Sequence, residues 1–177
     1  MNLQFYLEKL SHSEEFKKFM KKNPSAYLCS GFFVFDKKGS DNKQHFDYCI
    51  PNSKEMFSFQ LETINLSEKN LEQKGTEVVS LEIMEDKIPK EILKYDFDFD
   101  DIEKMIQEEM KKQGIKNNIQ KILYSLQNYE GKDQLICTIF ISMLGIIKIR
   151  IDLSNKKVIE FEKKSLFDII KVTKKKS

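Results

Sequence analysis

The sequence predicts an α+β fold in which helices pack on antiparallel β-meanders, as two similar halves of one helix and then about four strands each. Three observations lead there. The run YDFDFDDIEKMIQEEMKKQGI carries the start and stop signals of an amphipathic helix. The segments after it alternate apolar with polar residues, the period of a strand with one face covered and one in water. The same order, helical patterning and then alternation, fills the first half of the chain. These features place an N-terminal half at 1–86, a linker at 87–96 and a C-terminal half at 97–177. No residue-level repeat accompanies the similarity.

At the start, Leu3, Tyr6, Leu7 and Leu10 fall on one helical stripe. Ser11 followed by Glu14 reads as a capping box that restarts a helix presenting Phe16, Phe19 and Met20, giving two short helices or one bent helix. Pro24 marks the exit, because the residue before a proline avoids the helical region. AYLCSGFFVFD is a strand apolar on both faces, with Tyr27, Cys29, Phe33 and Phe35 on one side and Leu28, Phe32 and Val34 on the other. Such a strand is central or has its second face covered. KKGSDNKQ is a polar loop and HFDYCIP the return strand. EMFSFQLET puts Phe57, Phe59 and Leu61 on one face, and TEVVSLEIM offers Val79, Leu81 and Ile83 inward. EDKIPKEILKYD, with Pro89, is the most linker-like segment.

In the second half, Asp98 is placed as the N-cap of the helix, with Phe97 and Ile102 as its hydrophobic staple. Asp100, Asp101 and Glu103 lie at the positive end of the helix dipole, Lys111 and Lys112 at the negative end. Gly114 takes the left-handed C′ position with Ile115 over Met110. Ile102, Met105, Ile106 and Met110 form the apolar stripe. Four strands follow: Ile122, Tyr124 and Leu126 alternate in the first, Leu135, Cys137, Ile139 and Ile141 in the second. Ile147, Ile149, Ile151 and Leu153 alternate against Lys148, Arg150 and Asp152 in the third, and Ile159 and Phe161 against Glu160 and Glu162 in the fourth. NYEGKD and SNKK are turn chemistry, and Gly145 breaks the run before Ile146.

Residues 98–163 resemble the PepSY-like and wider cystatin-like arrangement, in which a penultimate strand ends in Asp, a short turn follows and the last strand opens on a β-branched residue. The matching positions are Ile149–Asp152, the turn Ser154–Lys157 and Val158–Phe161. The resemblance implies a module that binds or inhibits protein partners.

Composition narrows the function classes. Hydrophobic residues make up 40% and charged residues 33% of the 177, an ordinary balance for a soluble globular protein. Thirty basic residues against 28 acidic ones leave a net charge of +2, and Arg150 is the sole arginine. Lysines interleaved with acids lack the bidentate and stacking contacts of a nucleic-acid reader, so no nucleic acid is expected. The lysines of KVTKKKS read as a solubilising end. No apolar run approaches the roughly 20 residues of a membrane span. Glu8, Glu14 and Glu15 stand where a signal peptide needs basic and then apolar residues, so the chain is expected in the cytoplasm. Cys29, Cys49 and Cys137 sit in apolar runs and read as buried, reduced thiols.

The sequence carries no assembled set of catalytic groups. DFDFDD fails the calcium-loop pattern, since Asp101 and Gln107 stand where a glycine and a glutamate are needed, and helix capping explains the same carboxylates. His12 opens a helix, and His45 opens a strand beside Asp47. There is no phosphate-cradling loop, nucleophile elbow or zinc spacing. The sequence therefore predicts a cytoplasmic, non-catalytic binding or interaction module without metal or cofactor, acting on a protein partner or by self-association. Its working surface would be a sheet face or the seam between halves. Such a role requires an exposed apolar or aromatic patch. Rings crowd the first half, and Phe32, Phe35, His45 and Tyr48 are the candidate binding surface. The alternative is a small-molecule-binding protein or enzyme with an aromatic-lined cavity there and His45, Asp47 and Cys49 at its mouth.

Overall fold

The computed structural model describes residues 2–39, 41–61, 76–82, 89–93 and 97–165. Its elements are α1 (Leu3–His12), α2 (Glu14–Lys22), β1 (Tyr27–Asp36), β2 (Lys43–Cys49), β3 (Glu55–Leu61), β4 (Glu77–Glu82), α3 (Phe99–Lys112), β5 (Ile119–Tyr129), β6 (Lys132–Ile141), β7 (Gly145–Asp152) and β8 (Lys157–Ser165).

The expectation of two halves, each a helix on its own meander, is corrected by the strand order. The eight strands form one antiparallel sheet, β4-β3-β2-β1-β5-β6-β7-β8. The join is β1 against β5, in register from Ser30↔Gln127 to Asp36↔Lys121. The physical reason lies in strand edges. Alternation within a strand says which side chains share a face, but not what its backbone pairs with. Each meander would leave the edge of its first strand open, and pairing β1 with β5 closes both.

The three described helices lie on one face of this sheet. Tyr6 of α1 meets the rings of Phe33 and Phe35, Phe16 and Phe19 of α2 meet Tyr48 and Phe59, and Phe99 of α3 meets Phe35 and Tyr124. One hydrophobic core runs beneath them from Leu61 in β3 to Val158 and Phe161 in β8. Gly31 of β1 belongs to this core face: a Cβ there would stand 3.0 Å from the Phe33 ring, so the glycine makes room for it.

Local signals explain the helices. The Asp98 side chain accepts from the Asp100 N–H at 2.7 Å, and Phe97 and Ile102 are both buried beside it. Gly114 has φ +70° and the Ile115 N–H donates to the Met110 carbonyl, the C-terminal closure the spacing predicts. Ser11 is not the cap between α1 and α2. Its hydroxyl donates to the Glu8 carbonyl inside α1, and Ser13 accepts from the Phe16 N–H instead. The start of α1 is tied to the start of α3, with Asn2 bridging Asp98 and the Leu3 N–H donating to the Phe97 carbonyl.

Residues 89–93 are held by hydrogen bonds to both halves of the sheet. The Ile92 N–H donates to the Leu28 carbonyl, and the Leu93 N–H to Oδ2 of Asp133, at 2.8 Å each. Tyr27 donates its hydroxyl to the Pro89 carbonyl at 3.0 Å, and Ile92 is buried. Asp133, itself buried, also accepts from Asn128.

The β6–β7 turn lies one step earlier than the glycine suggested: Ile141 pairs with Gly145, and Ser142–Leu144 form the loop. Met143 and Leu144 both hold left-handed backbone, φ +64° and +58°, and are 88% and 55% exposed. Left-handed backbone disfavours residues other than glycine and asparagine.

Candidate functional site

Register and alternation sort every strand residue between the helix-covered face and the opposite one, which no helix covers among the described residues. One row crosses all eight strands on that opposite face: Glu77 in β4, Gln60, His45, Phe32, Ser125, Ile136, Arg150 and Glu160 in β8, each the direct cross-strand partner of the next. Val34, Leu123 and Thr138 make the start of a neighbouring row, and Lys121, Phe140 and Ile146 part of another. The long row is apolar at Phe32 and Ile136 and ends on the charges of Glu77 and Glu160, and Val34 and Leu123 extend the apolar stretch over β1 and β5. Leu123, Ile136, Phe140 and Ile146 are part-exposed.

The four residues singled out from sequence divide between the two faces. Phe32 and His45 stand opposite each other on the uncovered face, ring centres 6.2 Å apart. Phe35 lies under the helices against Tyr6, Phe99 and Tyr124, and Tyr48 packs there on Phe16, Phe19 and Phe59. The structure thus brings together two of the four. A slip of register between Leu28 and Ser30 is the reason the rest of the strand also sorts differently. Beyond that bulge Leu28 joins Phe33 and Phe35 on the covered side, while Tyr27 and Cys29 turn to the uncovered side with Phe32. Val79 and Leu81, expected inward, pair with Ser58 and Met56 on the uncovered face and are 46% and 44% exposed. Ile83 lies outside the described residues.

Some polar groups of this face are engaged with each other. The Ser30 hydroxyl donates to Oδ2 of Asp47, and the Cys29 thiol to the Asp47 carbonyl at 3.2 Å. Half-buried His45 is held below its ordinary titration range by burial, which outweighs the opposing pull of the Asp47 charge. Among the described residues no carboxylate is hydrogen-bonded to it, the contact that would orient a general base. Arg150 pairs with Glu160 at 2.7 Å and lies 5.9 Å from the centre of the Tyr129 ring, while its Nε is buried without a hydrogen-bond partner. Arg150, Ile136 and Phe140 are not marked out by sequence as a group: alternation shows which residues share a face, but not which face the helices leave open.

His12 is exposed at the end of α1, its Nδ1 2.7 Å from the Glu8 carbonyl. Among the described residues, no group of three or more His, Cys, Asp or Glu side chains is placed to hold a metal. A surface cleft of about 380 Å³ lies between α1, α2 and β1, lined in part by Leu7, Glu8, Phe16, Tyr48 and Glu91. It does not reach His45, Asp47 or Cys49, the residues named for the mouth of an aromatic cavity. Among the described residues no helix is long and apolar enough to cross a membrane.

Fold and face together define an α+β protein with one broad antiparallel sheet, whose helices, among the described residues, all lie on one side. No protein-family model matches the chain, and no curated protein matches it. Among solved structures, it is similar to a crystal structure described as a putative lipoprotein from Clostridium difficile 630, with a TM-score of 0.52 and 11% identity over 85% of this chain and 91% of that one. At that identity the likeness is one of fold.

Proposed function

We propose that this protein is a non-catalytic binding module that receives a protein partner on the uncovered face of its sheet. The observation that carries the reading is the central row itself. It carries Phe32 on β1 and Ile136 on β6, the latter directly opposite Arg150, the sole arginine of a chain that otherwise uses lysine, with Tyr129 within reach of the guanidinium. Aromatic residues and arginine are the residue types that dominate interface energetics, and charge is depleted at interface centres. The occupant that fits is a protein surface with an apolar centre and a rim of both charge signs, facing Glu77 and Glu160 at the ends of the row and Lys148 beside it. The resemblance of residues 98–163 to PepSY-like and cystatin-like modules points to the same class of activity.

The test is position-specific photo-crosslinking. A photoreactive side chain at Ser125, in the middle of the row, should capture one discrete partner from native extract, and Ile136→Lys should weaken capture at least about tenfold, the scale of one interface anchor. The same probe at exposed Glu108 on α3 should not capture it. Adducts unaffected by Ile136→Lys, or equal at both positions, would remove the proposal; an adduct with a second copy of the chain would replace the heterologous partner by self-association.

A further inference from the structure

Two of the three cysteines meet on the side of the sheet opposite the described helices, and nothing in the binding reading uses them. Cys29 of β1 and Cys49 of β2 are fully buried, and their sulfurs stand 2.9 Å apart. The bulge makes this possible. Cys49 lies opposite Tyr27, Leu28 opposite Tyr48 and Ser30 opposite Asp47, so Cys29 is the extra residue, free of a partner of its own and turned toward Cys49. We propose that Cys29 and Cys49 are one oxidisable dithiol, which closes a disulfide between β1 and β2 by exchange with a small disulfide such as oxidised glutathione.

The geometry asks for little movement. A disulfide holds its sulfurs about 2.05 Å apart, so the pair closes by moving together about 0.9 Å. The shared hydrogen bond, with burial, pushes the Cys29 thiol up, and the same hydrogen bond draws Cys49 below its ordinary range. Cys49 therefore ionises first. Its thiolate attacks one sulfur of the small disulfide, forming a mixed disulfide and releasing one thiolate. Cys29 then gives up its proton and attacks the Cys49 sulfur, releasing the second. Two protein thiols are oxidised and one small disulfide is reduced to two thiols. Cys137 has no such neighbour: it is buried in β6 on the helix-covered face, where burial alone pushes its thiol up. The pair stays open in a reducing compartment and closes in an oxidising one, so its state reports where the protein works.

The test refolds the full chain from denaturant in glutathione buffers of increasing oxidised fraction, so that burial does not limit access, and alkylates it afterwards under denaturing conditions. Mass spectrometry should find one alkylated thiol, at Cys137, and one linked peptide pair containing Cys29 and Cys49. The ratio of oxidised to reduced protein should exceed that of the same chain kept in denaturant by at least about tenfold at equal glutathione ratio. The oxidised protein should melt roughly 5–10 °C above the reduced one, a redox dependence that Cys29→Ser abolishes and Cys137→Ser preserves. Three alkylated thiols after refolding at every ratio, a linked peptide that includes Cys137, or an oxidised fraction no greater than in the unfolded chain would each overturn the proposal.

Discussion

The two sides of the β1–β5 join share one sheet and one helical cover, yet they fill their cores differently. On the β1–β3 side the covered face is built of rings, with Phe33, Phe46, Phe59 and Tyr48 meeting Phe16, Phe19 and Tyr6 mostly edge-on or tilted. On the β5–β7 side it is almost wholly aliphatic, with Ile122, Leu126, Leu135, Ile139, Ile147, Ile149 and Ile151 all buried. Ring contacts are directional and aliphatic contacts are not. The aromatic side depends on the orientation of each neighbour, whereas the isoleucine side depends mainly on filled volume.

The largest test of that contrast removes a ring. Phe46→Ala should cost about 3–5 kcal/mol in chemical denaturation. The sharper version keeps the bulk: Ile149→Leu should cost under about 1.5 kcal/mol, because aliphatic neighbours repack. Phe46→Leu should exceed it by the roughly 0.5–1.5 kcal/mol of lost ring pairing. Equal losses at the two positions would erase the distinction.

Next in size is Gly31→Ala, whose added methyl meets the Phe33 ring at 3.0 Å on the aromatic side. The expected loss is about 1–3 kcal/mol, the cost of overpacking, and urea unfolding measures it. On the aliphatic side the hairpin tip offers a change of the opposite sign. Replacing Met143 by Asn and Leu144 by Gly suits the left-handed backbone both residues hold and should raise stability by about 1 kcal/mol. A fall in the urea midpoint would show that the exposed apolar tip is itself held by contacts.

The smallest expected effect separates the two sides by pH. Half-buried His45, on β2, has its folded value lowered from an ordinary 6.5, so the unfolded chain takes up the proton first and stability declines as pH falls from about 6.5 to the folded value. Asp152, at the end of β7, is held below its ordinary 3.8 chiefly by the Asn155 side chain and backbone N–H. Its contribution is complete above that value and is lost as pH falls through the folded one. His45→Gln should flatten only the upper window and Asp152→Asn only the lower, read as urea midpoints across pH. A change in the wrong window for either variant would reassign the titrating group.

Local order was legible in the sequence wherever one short stretch carries its own signal. The α3 helix announces both ends through Asp98 and Gly114, and the alternation around Ile149 marks a strand with one buried side. What was not legible depends on relations between distant stretches. Nothing in β1 or β5 says that their edges meet, because backbone pairing is nearly blind to side-chain identity. The bulge at Leu28–Ser30 is silent as well: it adds one residue without breaking the apolar run, and so reverses the parity of Tyr27 and Cys29 relative to Phe33. Half of the expected binding surface went under the helices for a related reason. Phe35 and Tyr48 look like Phe32 in composition, and only the placement of α1, α2 and α3 tells which ring is covered.

The seam between β1 and β5 is a line of backbone hydrogen bonds that any identical molecule could supply equally well. Refolded at high concentration, one polypeptide's leading meander could zip onto another's trailing one, giving an exchanged dimer that keeps every native pairing. Conditions that hold chains apart until this zipper has closed should therefore decide whether the product is single or entwined.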